Sequence, residues 1–368
     1  MAKTKTKQEG RRVYIIKRTV DVIAAALLTI GIICLIFYVT GDKNDDFTKK
    51  KIDTNDTEIS QSAGKEERKG DMIFSSELMD NEKIGDGPLV LVNNDNEYKG
   101  SGDDLVSVYD IKDEDGTDSY TVMSADVKLK TDAAKALNEM VKAFAKEKGH
   151  DDIVVDGGYR SKEEQQELYD AAEDKSAAAK PGCSDYHAGC SIDFGISSDD
   201  GTVADFDGKG DYAWFEQNCY KYGFVLRYPE GKQDKTGYDY RPWHFRYVGK
   251  EHAYYMTKNG LCLEEYIELV RKYPYDKDHL TFQDDENNYY EVYYFKKDAE
   301  NNDMTMVAVP SGIPYLVSGD NIDGFIISFD KYAKIGDAED TTKAEGVSEE
   351  TTKAEESAED KTEAEEEQ

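Results

Sequence analysis

Ser184-Asp185-Tyr186-His187-Ala188-Gly189-Cys190-Ser191-Ile192-Asp193, read together with Arg241-Pro242-Trp243-His244, decides how the rest of the chain is understood. One histidine and one carboxylate in the first stretch, and a second histidine in the other, are the ligand types a catalytic zinc takes; three protein ligands would leave one position for water. The candidate ligands are His187 or Tyr186, together with Asp193 and His244.

Four blocks occur in order along the chain: Asp156-Gly157-Gly158-Tyr159-Arg160-Ser161, then Pro181-Gly182-Cys183-Ser184, then Gly189 and Asp193, then Pro242-Trp243-His244-Phe245-Arg246-Tyr247-Val248-Gly249. On these residues the chain resembles the VanY-like D-alanyl-D-alanine carboxypeptidases, zinc enzymes that trim the terminal D-Ala from peptidoglycan stem peptides. The resemblance runs from about Leu89 to about Lys272. It implies an α+β fold, a small antiparallel sheet flanked by helices. It also implies a zinc cofactor and a stem-peptide partner, with Arg160 clasping the terminal carboxylate and Tyr159, Gln165, Ser184 and Trp243 around the substrate.

Two positions depart from the family pattern. Ser-x-His-x-x-Gly-x-x-x-Asp matches Ser184, Gly189 and Asp193 but puts Tyr186 where the first zinc histidine belongs, with His187 one residue late. Tyr186 could serve as an oxygen ligand, or a bulge could swing His187 inward. Glu-x-x-His has Arg241 in place of the general base. A guanidinium has no acceptor and stays protonated, so it cannot take a proton from water. At about 5 Å from a divalent ion, with an effective dielectric near 20, it would cost about 6 kcal/mol before screening. Asp239 is the nearest substitute base. The alternative to a hydrolase is a catalytically impaired relative that binds stem peptides without cutting them.

The 368 residues allow two domains with appendages, and a formal charge of -32 without a basic stripe argues against a nucleic-acid binder. Residues 1–18 are basic, and the apolar run Val22–Val39 is long enough to approach the thickness of a hydrocarbon core. This predicts a cytoplasmic segment (1–18), one transmembrane helix (19–40) and an extracytoplasmic remainder, because the basic flank stays inside. A cleaved signal peptide is the rival, and it too exports the domain. Residues 41–86, polar and charged, read as a disordered tether.

The carboxypeptidase-like domain is expected over 87–272. Pro88–Val92 reads as its opening strand. Leu137, Met140, Val141 and Phe144 recur at helical spacing between Thr131 and Lys148, with Gly149 placed to end the helix. Ile153-Val154-Val155 reads as a buried strand delivering Tyr159 and Arg160, and Ser161-Lys162-Glu163-Glu164 as a capping box. From the residues alone, the planar donor fork of Arg160 suits a carboxylate, as it would equally suit a surface ion pair. Residues 191–196, 224–227 and 243–248 read as strands, and Asp211–Tyr222, Glu251–Thr257 and Cys262–Arg271 as helices.

Outside the membrane run, Cys183, Cys190, Cys219 and Cys262 are an even set in a compartment that permits disulfides, with the pairing open between bridges and buried thiols. Residues 273–335 alternate as short strands, predicting a small all-β module whose tyrosines either pair across strands or stack on wall sugars, the former favoured. Residues 336–368 repeat Thr-Thr-Lys-Ala-Glu and read as a disordered acidic tail.

Overall fold

The computed structural model describes residues 67–333 apart from 176, 177, 199 and 302. The predicted membrane helix, the basic segment before it and the acidic tail lie outside the described residues. Among the described residues no helix is long and apolar enough to cross a membrane.

In chain order the first half runs β1 (Glu67–Lys69), β2 (Met72–Asp80), β3 (Leu105–Ser107), α1 (Val108–Asp115), β4 (Tyr120–Val122), β5 (Lys128–Lys130), α2 (Thr131–Lys148), β6 (Ile153–Gly157) and α3 (Lys162–Ala171). It continues with β7 (Ser191–Ser197), β8 (Val203–Asp205), α4 (Ala213–Asn218), β9 (Phe224–Leu226), α5 (Gln233–Thr236), β10 (His244–Tyr247), α6 (Lys250–Asn259) and α7 (Leu263–Val270). Five strands close it: β11 (Leu280–Gln283), β12 (Tyr289–Lys296), β13 (Met304–Pro310), β14 (Leu316–Gly319) and β15 (Gly324–Asp330).

The central sheet has the order β4-β6-β7-β10-β9, with β8 added to β7. All its pairings are antiparallel except β4 with β6, so the sheet is mixed rather than purely antiparallel. The apolar face of α2, Leu137, Met140, Val141 and Phe144, packs on it with Ile153, Val155, Ile192, Phe194 and Phe245 in one buried core. Gly149 ends α2 in the left-handed region, φ 75°, where a side chain would be strained. The helix expected over Asp211–Tyr222 is broken into a 3-10 turn, α4 and a second 3-10 turn, ended by Gly223 at φ 81°.

Two expectations about the start of the domain are corrected. Residues 67–86, assigned to the tether, instead form β1, β2 and a 3-10 turn. β2 pairs along its length with β13, from Phe74 opposite Pro310 to Asp80 opposite Met304. Met72 and Phe74 thereby reach a core with Tyr293, Val307, Val309 and Phe329, so the C-terminal module is completed by a segment more than 200 residues upstream.

Residues 89–92 are buried, but Pro88–Val92 forms no strand. Side chains and a loop carbonyl take the place of a ladder. Leu89 N–H donates to Ser318 Oγ and Leu91 N–H to the Asp320 carbonyl, while the Pro88 and Val90 carbonyls accept from Arg246 and that of Leu91 from Asn321.

Residues 289–330 form strands as expected, β12, β13, β14 and β15, and β11 adds one not expected, giving the order β11-β12-β15-β14 with β13 in another sheet. Tyr293 is buried in the core, and Tyr294 donates to Asp323 beside Arg271, so both are packing and latch residues. Arg271 also bonds Asp320, and Leu89, Leu91, Leu280, Val292 and Ile326 share a core with α6 and α7. Peptidase-like body and β module are thus joined by buried apolar area as well as by ion pairs. The four described cysteines carry free thiols.

Candidate functional site

His244 on β10 stands directly opposite Asp193 on β7 in the antiparallel register, and Gly157 on β6 flanks Asp193 from the other side. A Cβ on Gly157 would lie 3.0 Å from that of Asp193, so glycine is what lets the three strands converge there. A register shift between Val155 and Gly157 then ends the pairing and carries the chain out to Tyr159 and Arg160.

Residues Asp185–Ala188 form a 3-10 turn between Ser184 and Gly189. With three residues per turn, successive side chains leave it about 120° apart, so Asp185, Tyr186 and His187 must face three different ways. This corrects the expectation that a local slip could bring His187 to the metal. His187 Nδ1 donates to the Arg160 carbonyl at 2.6 Å and its Nε2 accepts from Gly182 N–H at 3.0 Å. Burial, followed by nearby cations, pushes its pKa down despite the Arg160 hydrogen bond, which matches a neutral ring that holds loops together. With Tyr98, Ser101, Tyr159, Lys162 and Gly182 it lines a polar cleft.

Tyr186 is the residue that joins Asp193 and His244. Its hydroxyl donates to Asp193 Oδ2 at 2.5 Å and lies 3.1 Å from His244 Nδ1, while His244 Nδ1 donates to Asp193 Oδ1 at 2.7 Å. The donor assignment follows from chemistry, because an ionised carboxylate only accepts. Burial and then Asp193 push the Tyr186 phenol well above its ordinary range. Burial opposes ionisation of Asp193 and His244 alike, but each offsets that for the other: the carboxyl is held low and the imidazole high.

Beneath them lies a buried charge network that the sequence pattern does not announce. Asp185 accepts from Arg246 Nη1 at 2.6 Å, from Arg227 Nε at 3.2 Å and from Ser191, and its Oδ2 is 3.4 Å from His244 Nε2. Burial alone would raise this carboxyl; Arg246 and Arg227 instead hold it well below the usual range. Arg227 continues to Glu264 by two hydrogen bonds. Asp185 thus fixes the imidazole of His244 from the side away from Asp193. The available signal is Arg227, directly after the apolar β9, and Arg246 inside β10.

Arg160 lies over the face of Tyr186, its Cζ 4.3 Å from the ring centroid, and donates from Nη1 to Gln165 Oε1 at 2.9 Å. Gln165 is buried and is itself fixed by donating to the Ala179 carbonyl at 2.7 Å. The predicted carboxylate clasp and its lining residue are therefore brought together. Ser184 is buried, and Trp243 is 37% exposed.

Arg241 does not fill the space between Asp193 and His244. Its guanidinium stacks over Tyr238 at 4.7 Å and Tyr228 at 5.3 Å, and Tyr228 in turn stacks on His244 with ring centroids 5.1 Å apart. Asp239 is exposed, whereas His244 is buried.

The residues present do not fit the zinc that the sequence pattern implied. Ligand atoms around a tetrahedral zinc, at bonds of about 2.0–2.1 Å, stand about 3.3 Å apart. Here the Tyr186–Asp193 and His244–Asp193 contacts are 2.5 and 2.7 Å, hydrogen-bond separations with a proton on each. A neutral phenol whose hydroxyl is already spent on Asp193 is a poor metal donor. Among the described residues no group of three or more His, Cys, Asp or Glu side chains is placed to hold a metal.

Comparison with known proteins agrees with the fold and the sequence blocks. The profile of the VanY family, described as D-alanyl-D-alanine carboxypeptidase, matches residues 126–250. A D-alanyl-D-alanine carboxypeptidase of Enterococcus faecium is 30% identical over 250 residues, covering 67% of this chain and 76% of the relative. A bifunctional D-Ala-D-Ala dipeptidase and carboxypeptidase, VanXYC of Enterococcus gallinarum, is 40% identical over 155 residues, covering 39% of this chain and 80% of its own. Among solved structures, the vancomycin-resistance D,D-dipeptidase VanXYg in complex with a D-Ala-D-Ala phosphinate analogue superposes with a TM-score of 0.60 at 29% identity, over 70% of this chain and 98% of that one.

Proposed function

This chain belongs to the VanY family of D-alanyl-D-alanine carboxypeptidases, and from that premise we propose that it engages peptidoglycan stem peptides ending in D-Ala-D-Ala. It does so in a carboxypeptidase-like cleft, on the outer side of a membrane in which the 22–39 segment anchors it. The observation that carries this reading is the placement of Arg160. Its guanidinium is aimed by Gln165 and seated on Tyr186, beside the strand pair that bears Asp193 and His244. A planar fork of donors held in place suits a terminal carboxylate, because little ordering entropy is left to lose on binding.

Capture of the peptide without hydrolysis is the form of this function the geometry supports best. Recognition needs only Arg160 and its supports, whereas cleavage needs an activated water and an acceptor for its proton, for which Arg241 and the exposed Asp239 are unsuited. Hydrolysis is the second reading. It is favoured by the register pairing of Asp193 with His244 and by relatives described as carboxypeptidases.

Calorimetry with a pentapeptide ending in D-Ala-D-Ala, run beside an assay for released D-Ala, tests both. Binding that is abolished by C-terminal amidation and by Arg160→Ala, with no D-Ala released, supports capture. Release that disappears in His244→Ala supports hydrolysis. Absence of both binding and release would end the stem-peptide reading.

A further inference from the structure

The family's metal site and this chain's side chains disagree at one atom. Asp193 and His244 keep their positions on β7 and β10, opposite each other in register. The phenolic oxygen of Tyr186 sits against both, 2.5 Å from Asp193 Oδ2 and 3.1 Å from His244 Nδ1. The imidazole and phenol rings meet edge to face with centroids 4.9 Å apart, so the phenol packs directly against the histidine it faces.

We propose that Tyr186 occupies the seat of the ion: its hydroxyl, with the Nδ1–H of His244, bonds the Asp193 carboxylate directly, so that protons hold the cleft together where relatives would use a metal. The same side chain has a second task. Its ring face carries Arg160, so the residue that excludes the ion also seats the clasp for a carboxylate. Arg241, withdrawn onto Tyr228 and Tyr238, is then a second and separate departure, affecting proton transfer and not metal occupancy.

The two departures therefore come apart in a defined order. Tyr186→His restores a zinc ligand without restoring a base; Arg241→Glu restores a base position without restoring the ion; only both together rebuild a hydrolase. Of the quantities measured, peptide turnover alone rests on the stem-peptide reading. Metal occupancy is independent of it.

The experiment measures bound zinc per chain after equilibration with zinc and dialysis, for the full chain and for Tyr186→His, Arg241→Glu and the double variant, together with the absorption spectrum after cobalt loading. The expected result is no retained metal in the native chain or in Arg241→Glu. Tyr186→His and the double variant should retain about one equivalent, with a tetrahedral cobalt spectrum. D-Ala release should be at least about 100-fold faster in the double variant than in Tyr186→His.

Tyr186→Ala with added imidazole, which supplies the missing ligand in solution, gives the same metal readout should the histidine variant fold poorly. One equivalent of zinc in the native chain, lost in His244→Ala, would overturn the proposal. So would folded Tyr186→His and imidazole-supplemented Tyr186→Ala that are both as metal-free as the native chain. Metal gain in Tyr186→His with no peptide bound by any form would leave this proposal standing and sink only the assignment of the ligand.

Discussion

Tyr186 donates its hydroxyl to Asp193 at 2.5 Å across a gap that His244 closes from the other side at 2.7 Å. One phenol, one carboxylate and one imidazole from three segments are thereby locked without any group from outside the chain. A hydrogen bond to a charged group contributes about 1.5–3 kcal/mol. Tyr186→Phe should therefore lower unfolding stability by about 2 kcal/mol in urea denaturation. It keeps the ring beneath Arg160, so peptide affinity in calorimetry should change by no more than about twofold. A large loss of affinity with unchanged stability would contradict this division of labour.

Gln165 aims Arg160 and is anchored by Ala179. Replacing it with leucine keeps most of the volume but removes both hydrogen bonds, leaving the guanidinium to order itself on binding. Affinity for a pentapeptide with a free carboxyl terminus should fall about five- to tenfold, equivalent to roughly 1–1.4 kcal/mol. The amidated peptide should bind equally weakly to both proteins.

Asp185 balances two fully buried arginines. Removing one partner from such a network leaves an uncompensated charge, so Asp185→Asn should cost about 3–5 kcal/mol. Arg246 and Arg227 hold its folded-state carboxyl well below that of the unfolded chain, near 3.9. The contribution is therefore complete above about pH 4 and is lost as pH falls further, through the folded-state value. Stability measured against pH should show a steeper acid limb in the native chain than in Asp185→Asn. Equal limbs would mean that the arginines are satisfied elsewhere.

Phe74 is buried among Tyr275, Tyr293 and Phe329. Phe74→Ala should lower stability by about 3–5 kcal/mol, and a chain beginning at residue 87 should expose β13 as an unpaired edge and aggregate. A well-behaved protein lacking residues 67–80, monomeric by sedimentation, would show that β2 is dispensable.

Asp193, His244 and Arg160 are legible in the sequence because short blocks with fixed spacing carry them, and the structure sets the first two opposite each other. The helix α2 and its cap are legible because the apolar period and Gly149 are local signals. β2 is not, because Ser75, Ser76 and Glu77 interrupt the alternation and the partner strand lies at 304–310, where no local pattern can announce it. Pro88–Val92 reads wrongly as a strand because β-branched composition reports burial as readily as pairing. The choice between His187 and Tyr186 is hidden for a different reason. Strand and 3-10 turn give neighbouring side chains different directions, and only the backbone of 185–188 tells which applies.

Asp71 and Lys331 are bonded at 2.9 Å, which puts the first strands of the described chain and the end of its last strand on one side of the same small β module. Whatever is attached before residue 67 or after residue 333 therefore pulls first on that module, at β1 and β2 or at the end of β15, and reaches the body that holds Arg160 only through it. A pull on a stem peptide held at Arg160 would therefore travel through the core that the body shares with the module and then as shear along β2 and β13, so the join between them bears the load in series with the cleft.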